Sequence, residues 1–163
     1  MAEMKDIQLR FGLPQVSQIG FVVNDMNKAI QYYSSIFGIG PFTLYEFVPE
    51  EHWFMEEPSH IKLMMGKATW GNLELELIKP LEGKSFHKEF LEAHGEGVQH
   101  FGFFVSNYDE MFEKFKTAGF RPVMRAETYV ETYKGYLRAC YFDTRCISGI
   151  MSEIIWKSWV VNQ

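Results

Sequence analysis

A chain of 163 residues, 47% apolar and 17% aromatic, is long enough to bury one core or two small modules sharing one. Its formal net charge of −5 and the lack of a Lys/Arg-rich run argue against a duplex nucleic acid as partner, which calls for a basic stripe. No window approaches about 18 unbroken apolar residues and MAEMKDIQLRFG lacks an apolar core of signal-peptide length, so no membrane span or secretion is expected and the compartment is expected to be cytoplasmic. Cys140 and Cys146 have no Cys-x-x-Cys spacing and read as reduced thiols buried as small fillers.

The first strand, VSQIGFVV (16–23), is an apolar run interrupted by Gln18, which shares a face with Gly20 and Val22. A buried amide without partners is expensive, roughly 1–3 kcal/mol, so something must satisfy it. A polar turn (NDMN) leads into an amphipathic helix with Met26, Ala29, Ile30 and Tyr33 on one face, Asp25 as its N-cap and Gly38 beyond its end. PFTLYEFV, IKLMMGKATW and NLELELIKP then read as strands, with FVPEEHWFMEEPSH (47–60) as a long loop expected to form a lid or pocket wall. SFHKEFLEAHGEG (85–97) reads as a short linking helix ended by glycines.

The chain then repeats itself. HFGFFVSNYDEMFEKFKTAGF, from His100, aligns without a gap on QIGFVVNDMNKAIQYYSSIFG, from Gln18, at an offset of 82 residues. Asn107 takes the N-cap position of Asp25, Gly119 ends this helix, and RPVMRAE, YLRACYF and IMSEIIW follow as strands. Strand, helix and three strands thus occur twice, in an α+β chain of one domain: a first module over about 14–80, the linker helix, and a second module over about 98–157.

Polar residues inside the apolar strands fall at matching places. Gln18 and His100 open the two modules; Glu76 and Glu153 lie near their ends. Period-two alternation puts Glu74, Glu76 and Ile78 on one face, and Met151, Glu153 and Ile155 on another. If the halves pack about a pseudo-twofold axis, an amide, an imidazole and two carboxylates converge. Two buried carboxylates repel unless a cation neutralises them, and a divalent metal also gives Gln18 a partner.

In GNLELELIKPLEG, SFHKEFLEAHGEG, GVQHFGFFV and SEIIW, and in their order, the chain resembles the vicinal oxygen chelate (glyoxalase/bleomycin-resistance/dioxygenase) superfamily, above all its methylmalonyl-CoA epimerase-like racemases, over about residues 14–157. The resemblance implies paired βαβββ modules in a curved mixed sheet, a divalent metal (Mn, Co, Mg, Ni or Fe) on Gln18, Glu76, His100 and Glu153, and a homodimer. Gln18 stands where the family usually has histidine. The single histidine of this set disfavours dioxygen chemistry, which commonly uses two.

The implied reaction is metal-assisted racemisation or epimerisation of a carbon next to a carbonyl, through an enolate. Glu153, then Lys62, then His60 are its candidate proton carriers, Lys62 by likeness to the epimerases and His60 as the residue two positions earlier on the same face. Trp53, Trp70 and Phe104, with Phe42, Phe47 and Phe54, are candidate rings around the substrate. No Lys/Arg cluster offers to hold coenzyme A phosphates, so the expected substrate is an apolar or aromatic ketone, for example an isoflavanone such as dihydrodaidzein, ahead of an acyl-CoA such as methylmalonyl-CoA. The alternatives are a glyoxalase-type lyase or ring-cleaving dioxygenase, and a metal-free binding protein for a hydrophobic small molecule.

Overall fold

The computed structural model describes residues 11–159. Its first half runs through β1 (Gln18–Val22), α1 (Met26–Phe37), β2 (Thr43–Phe47), a hairpin of β3 (Glu51–Phe54) and β4 (Glu57–Pro58), β5 (Ile61–Trp70) and β6 (Leu73–Gly83). After α2 (Phe86–His94) come β7 (Gly97–Phe104), α3 (Tyr108–Thr117), β8 (Pro122–Val130), β9 (Gly135–Phe142), the short α4 (Arg145–Ser148) and β10 (Met151–Lys157). Caps fix the helix starts: Asp25 accepts from Lys28 N, Ser85 from Lys88 N and Asn107 from Glu110 N. Gly38 ends α1 with φ 67°, a backbone state that costs glycine little.

All ten strands join one sheet in the order β2-β5-β6-β1-β7-β10-β9-β8-β3-β4. Apart from the hairpin, the order is a palindrome of the two halves: β1 matches β7, β6 matches β10, β5 matches β9 and β2 matches β8. The α+β fold is a curled mixed sheet with helices outside, parallel at β1–β6 and β7–β10 and antiparallel at the β1–β7 seam. On the convex face α1 packs on Val23, Ala68, Leu75 and Leu77, and α3 packs on Phe103, Cys140, Phe142 and Ile154. The alternate residues of the same strands face inward.

Residues 47–60 differ from the expected free loop. β3 pairs with β8, the outer strand of the other half, so this insertion is part of the sheet. Phe47 of β2 and Glu51 of β3 lie at opposite edges of the sheet, yet four residue steps span at most about 14 Å. The sheet must therefore curl until its edges approach, and its concave face becomes an interior. Cys140 is buried as expected, but Cys146 is exposed on α4. No helix among the described residues is long and apolar enough to cross a membrane.

Candidate metal centre and its cavity

The seam between the halves explains the polar residues in the apolar strands. In β1 and β7, Gln18 lies opposite Gly102 and Gly20 opposite His100. A Cβ at Gly20 would overlap the His100 imidazole, and one at Gly102 would sit 2.7 Å from Gln18 Oε1. Each half thus carries a polar residue and, two positions on, the glycine that clears space for the other half's polar residue. The flanking ladders place Glu76 beside Gly20 and Glu153 beside Gly102. Two neighbouring rungs of the sheet therefore bring all four side chains to one inward-facing spot.

Their atoms converge on His100 Nε2. Glu153 Oε2 is 3.2 Å from it, and Glu76 Oε2 and Gln18 Oε1 are each 3.4 Å away. Gln18 and His100 have no exposed surface, and Glu76 and Glu153 are buried. The Gln18 amide is oriented by acids: Nε2 donates to Glu74 Oε1 at 2.7 Å and to Glu76 Oε1 at 3.2 Å, which turns Oε1 toward the centre. His100 Nδ1 faces Gln99 Oε1 at 3.2 Å; a proton on Nδ1 leaves the Nε2 lone pair directed at the same centre.

Lys67, which the sequence reading passed over, completes the arrangement. It lies opposite Glu76 in the β5–β6 hairpin, with Nζ 2.9 Å from Glu76 Oε1 and 3.1 Å from Glu74 Oε1. It therefore occupies the Glu76 oxygen that points away from His100. Burial works against the Lys67 charge, but Glu74 and Glu76 outweigh it and hold the ammonium protonated well above the usual lysine range. Burial also opposes charge on Glu76, yet Lys67 and His100 hold that carboxyl down at about 2. Glu153 has no such lysine, and burial raises it. On His100 burial pulls down, while Glu153 and Glu76 push the imidazole up to about 9.

A divalent cation fits this donor set. Glu76 Oε2 and Glu153 Oε2 are buried without a hydrogen-bond partner among the described residues. Their distances to Nε2 exceed those of strong charged hydrogen bonds, about 2.7–2.9 Å, and approach the roughly 3 Å between adjacent ligands on an ion with bonds of about 2.1 Å. Glu76, His100 and Glu153 each offer an atom within 4.8 Å of the others. Gln18, Glu76, His100 and Glu153 would hold the ion, and a set rich in oxygen with one imidazole suits hard to borderline metals.

The centre lies at the polar end of a narrow cavity of about 40 Å³ inside the curled sheet. Phe47, Ile61, Leu63, Met65, Met124 and Ile155 supply apolar wall, with Tyr141, His87 and His52 as further polar residues. His87, from α2, holds Gln99 Oε1 at 2.8 Å and packs edge-on against Tyr141.

The structure places several of the expected site residues away from the cavity wall. Ile61, Leu63, Met65 and Lys67 of β5 line the cavity, so Lys62 is on the outer face, paired with Glu46 at 3.0 Å. His60 is exposed and lies before the strand, outside the cavity wall. Trp53 alternates outward from His52 and stacks under the Arg125 guanidinium at 4.0 Å. Trp70 is exposed at the tip of the β5–β6 hairpin, and the Phe104 ring lies under Lys157 Nζ, 3.6 Å away, outside the cavity. Phe42 packs beside α1 and Phe54 beside Met124 and Tyr141, leaving Phe47 as the one expected phenylalanine in the wall.

Comparison with known proteins agrees with this architecture. Methylmalonyl-CoA epimerase from Mycobacterium tuberculosis superposes with a TM-score of 0.62 at 20% identity, over 88% of each chain. A single-site variant of the Streptomyces coelicolor epimerase, in complex with 2-nitronate-propionyl-CoA, gives 0.62 at 20% identity over 93% of this chain and 99% of its own. A triple mutant of 4-hydroxymandelate synthase from S. coelicolor gives 0.62 at 16% identity, over 93% of this chain and 51% of its own. These likenesses establish the fold. No curated protein sequence matches the chain. The profile of the Glyoxalase/Bleomycin resistance protein/Dioxygenase superfamily matches residues 17–141, from the strand bearing Gln18 through Tyr141, and the chain belongs to that superfamily.

Proposed function

We propose that this protein is a metal-assisted racemase or epimerase that inverts a carbon next to a carbonyl, acting on an apolar or aromatic ketone. The observation that carries the reading is a donor set suited to a cation at the polar end of an apolar cavity, with a proton-bearing side chain from each half beside it. When bound, a divalent ion supplies Lewis acidity toward a carbonyl oxygen, worth several kcal/mol of barrier. Glu153 is the acceptor: its carboxyl is buried at the polar end of the cavity, and its Oε2 has no hydrogen-bond partner among the described residues. Lys67, from the other half, stays protonated well above the usual lysine range and neutralises Glu74 and Glu76, so it fixes charge at this end of the cavity and does not shuttle the proton. The apolar wall orients the ring system and excludes water from the exchanging proton.

The charges in the wall favour a ketone over a thioester. Lys67 is engaged by Glu74 and Glu76, which leaves Arg125, stacked on Trp53, as a lone cation in the wall where coenzyme A phosphates call for a cluster. An isoflavanone such as dihydrodaidzein has the required ring ketone. Methylmalonyl-CoA is the second reading, supported by the epimerases that share the fold. Incubation in deuterium oxide with Mn²⁺ or Co²⁺ tests both: label should enter the carbon next to the carbonyl of an isoflavanone or an acyl-CoA. Glu153→Gln should slow that exchange by about 10²-fold or more. Absence of exchange across both substrate classes would refute the reading.

A further inference from the structure

The cavity of about 40 Å³ has room for on the order of three water molecules, so no ketone enters until part of its wall moves. The β3–β4 hairpin is the part of the sheet that the internal repeat does not account for. It lies at the end of the sheet: β3 is paired with β8 on one side and on the other only with β4, which is two residues long and ends in Pro58. Several features oppose its closed position. Glu51 lies directly opposite Glu127 in the β3–β8 ladder, a like-charge pair. The turn places Met55 and Glu56 at φ 55° and 67°, a left-handed state that suits Asn-Gly and strains other side chains. His52, opposite Ala126 and in the cavity wall, has Nε2 buried with no hydrogen-bond partner among the described residues.

Resting on the reading of the cavity as a ketone site, we propose that the β3–β4 hairpin is its gate: β3 unzips from β8, admits the substrate, and recloses over it. Unzipping separates Glu51 from Glu127, frees Met55 and Glu56 from the left-handed turn and returns His52 Nε2 to water. Reclosing restores the rungs to β8, the bond from Met55 N to Val123 O at 2.9 Å and the Arg125 guanidinium over the Trp53 ring at 4.0 Å. The other strands of the wall hold more firmly. β5, β6, β8, β9 and β10 are each paired along both edges, so moving one breaks two ladders. β2, the other edge strand, is tied to β5 by the Glu46–Lys62 pair at 3.0 Å.

Amide hydrogen exchange read by mass spectrometry locates the gate without a ligand. Residues 51–57 should exchange at least about tenfold faster than β9. Met55→Asn with Glu56→Gly gives the turn the residues its backbone favours and should slow the hairpin's exchange by about tenfold. A lock tests passage. Opposite Cα atoms in an antiparallel ladder lie about 4.5–5.5 Å apart, within disulfide reach, so Glu51→Cys with Glu127→Cys, in a Cys146→Ser background, pins β3 to β8. Oxidation of this variant should slow isoflavanone association, followed by stopped-flow tryptophan fluorescence, at least about tenfold, and dithiothreitol should restore the rate. Protection of residues 51–57 equal to that of β9, or an association rate indifferent to the lock, would overturn the proposal. Fast exchange in 51–57 with no isoflavanone binding to either form would support the gate and count against the ketone reading alone.

Discussion

Lys67→Met is the most informative single change, because it removes a charge while keeping most of the side chain's volume. The ammonium sits 2.9 Å from Glu76 and 3.1 Å from Glu74, and the side chains of Lys67, Glu76 and Glu74 are 14%, 4% and 15% exposed. Methionine leaves both carboxylates buried with one cation fewer. Breaking a buried pair from one side costs about 3–5 kcal/mol. Glu74 keeps its bond from Gln18 Nε2 at 2.7 Å, which places the expected loss near the lower end, about 3 kcal/mol at pH 7. For a chain of this size that corresponds to roughly 6–12 °C in Tm. Urea unfolding followed by tryptophan fluorescence, with EDTA present, measures it. A cation on Glu76 replaces part of the missing charge, so the loss should shrink in saturating Mn²⁺. A variant within about 0.5 kcal/mol of wild type in EDTA, or a loss unchanged by Mn²⁺, would refute this reasoning.

Other consequences follow from the same geometry. Gly20→Ala puts a Cβ into the space of the His100 ring; it should cost about 1–3 kcal/mol and weaken Mn²⁺ binding at least tenfold by calorimetry, and wild-type affinity would remove the case for the glycine's role. Lys62→Ala should leave both stability and deuterium exchange unchanged, since Lys62 pairs with Glu46 on the outer face; a tenfold slower exchange would put Lys62 back in the site. For the metal-free protein, pH dependence has a definite sign. Burial holds His87 at about 3, against 6.5 when unfolded, so the unfolded chain takes up a proton that the folded chain refuses. Stability is then complete above pH 6.5 and falls on acidification toward pH 3, by up to about 1.4 kcal/mol per pH unit for such a histidine. His52, held at about 4 and partly screened by solvent, adds to the loss in the upper part of that window. His100, raised to about 9, acts with the opposite sign, its contribution present below pH 6.5 and lost as pH rises through 9. Urea titrations at pH 7, 6 and 5 should show the acid-side decline, and a flat profile would contradict the buried neutral histidines.

The repeat carried most of the fold in plain view. Gln18 and His100 at one offset, each followed by x-Gly-Phe, marked the seam, and the alternation of LELELIKP separated Glu74 and Glu76 from the leucines that α1 covers. Lys67 was also legible. Trp70 and Leu73 flank a two-residue Gly71–Asn72 turn, and counting back along that hairpin puts Lys67 opposite Glu76, hence on the same face. The same count puts Lys62 on the other face; the family likeness used instead ignored the strand's own phase. His52 and Trp53 were not legible, because their facing depends on β3 pairing with β8 of the other half, more than 60 residues away, and no local pattern encodes such a partner. His87 sits on a helix whose inward side is set by where α2 crosses the closed sheet, again a matter of tertiary packing.

The central claim is that side chains from both halves share one cation, and calorimetric titration of metal-free protein with Mn²⁺ and Co²⁺ addresses it most directly. One ion per chain is expected, with Glu76→Gln, His100→Ala and Glu153→Gln each weakening binding by at least about tenfold. Glu46→Gln, whose parent carboxylate pairs with Lys62 outside the cavity, should leave affinity unchanged. Absence of stoichiometric binding, or binding indifferent to His100→Ala and Glu153→Gln, would contradict the account.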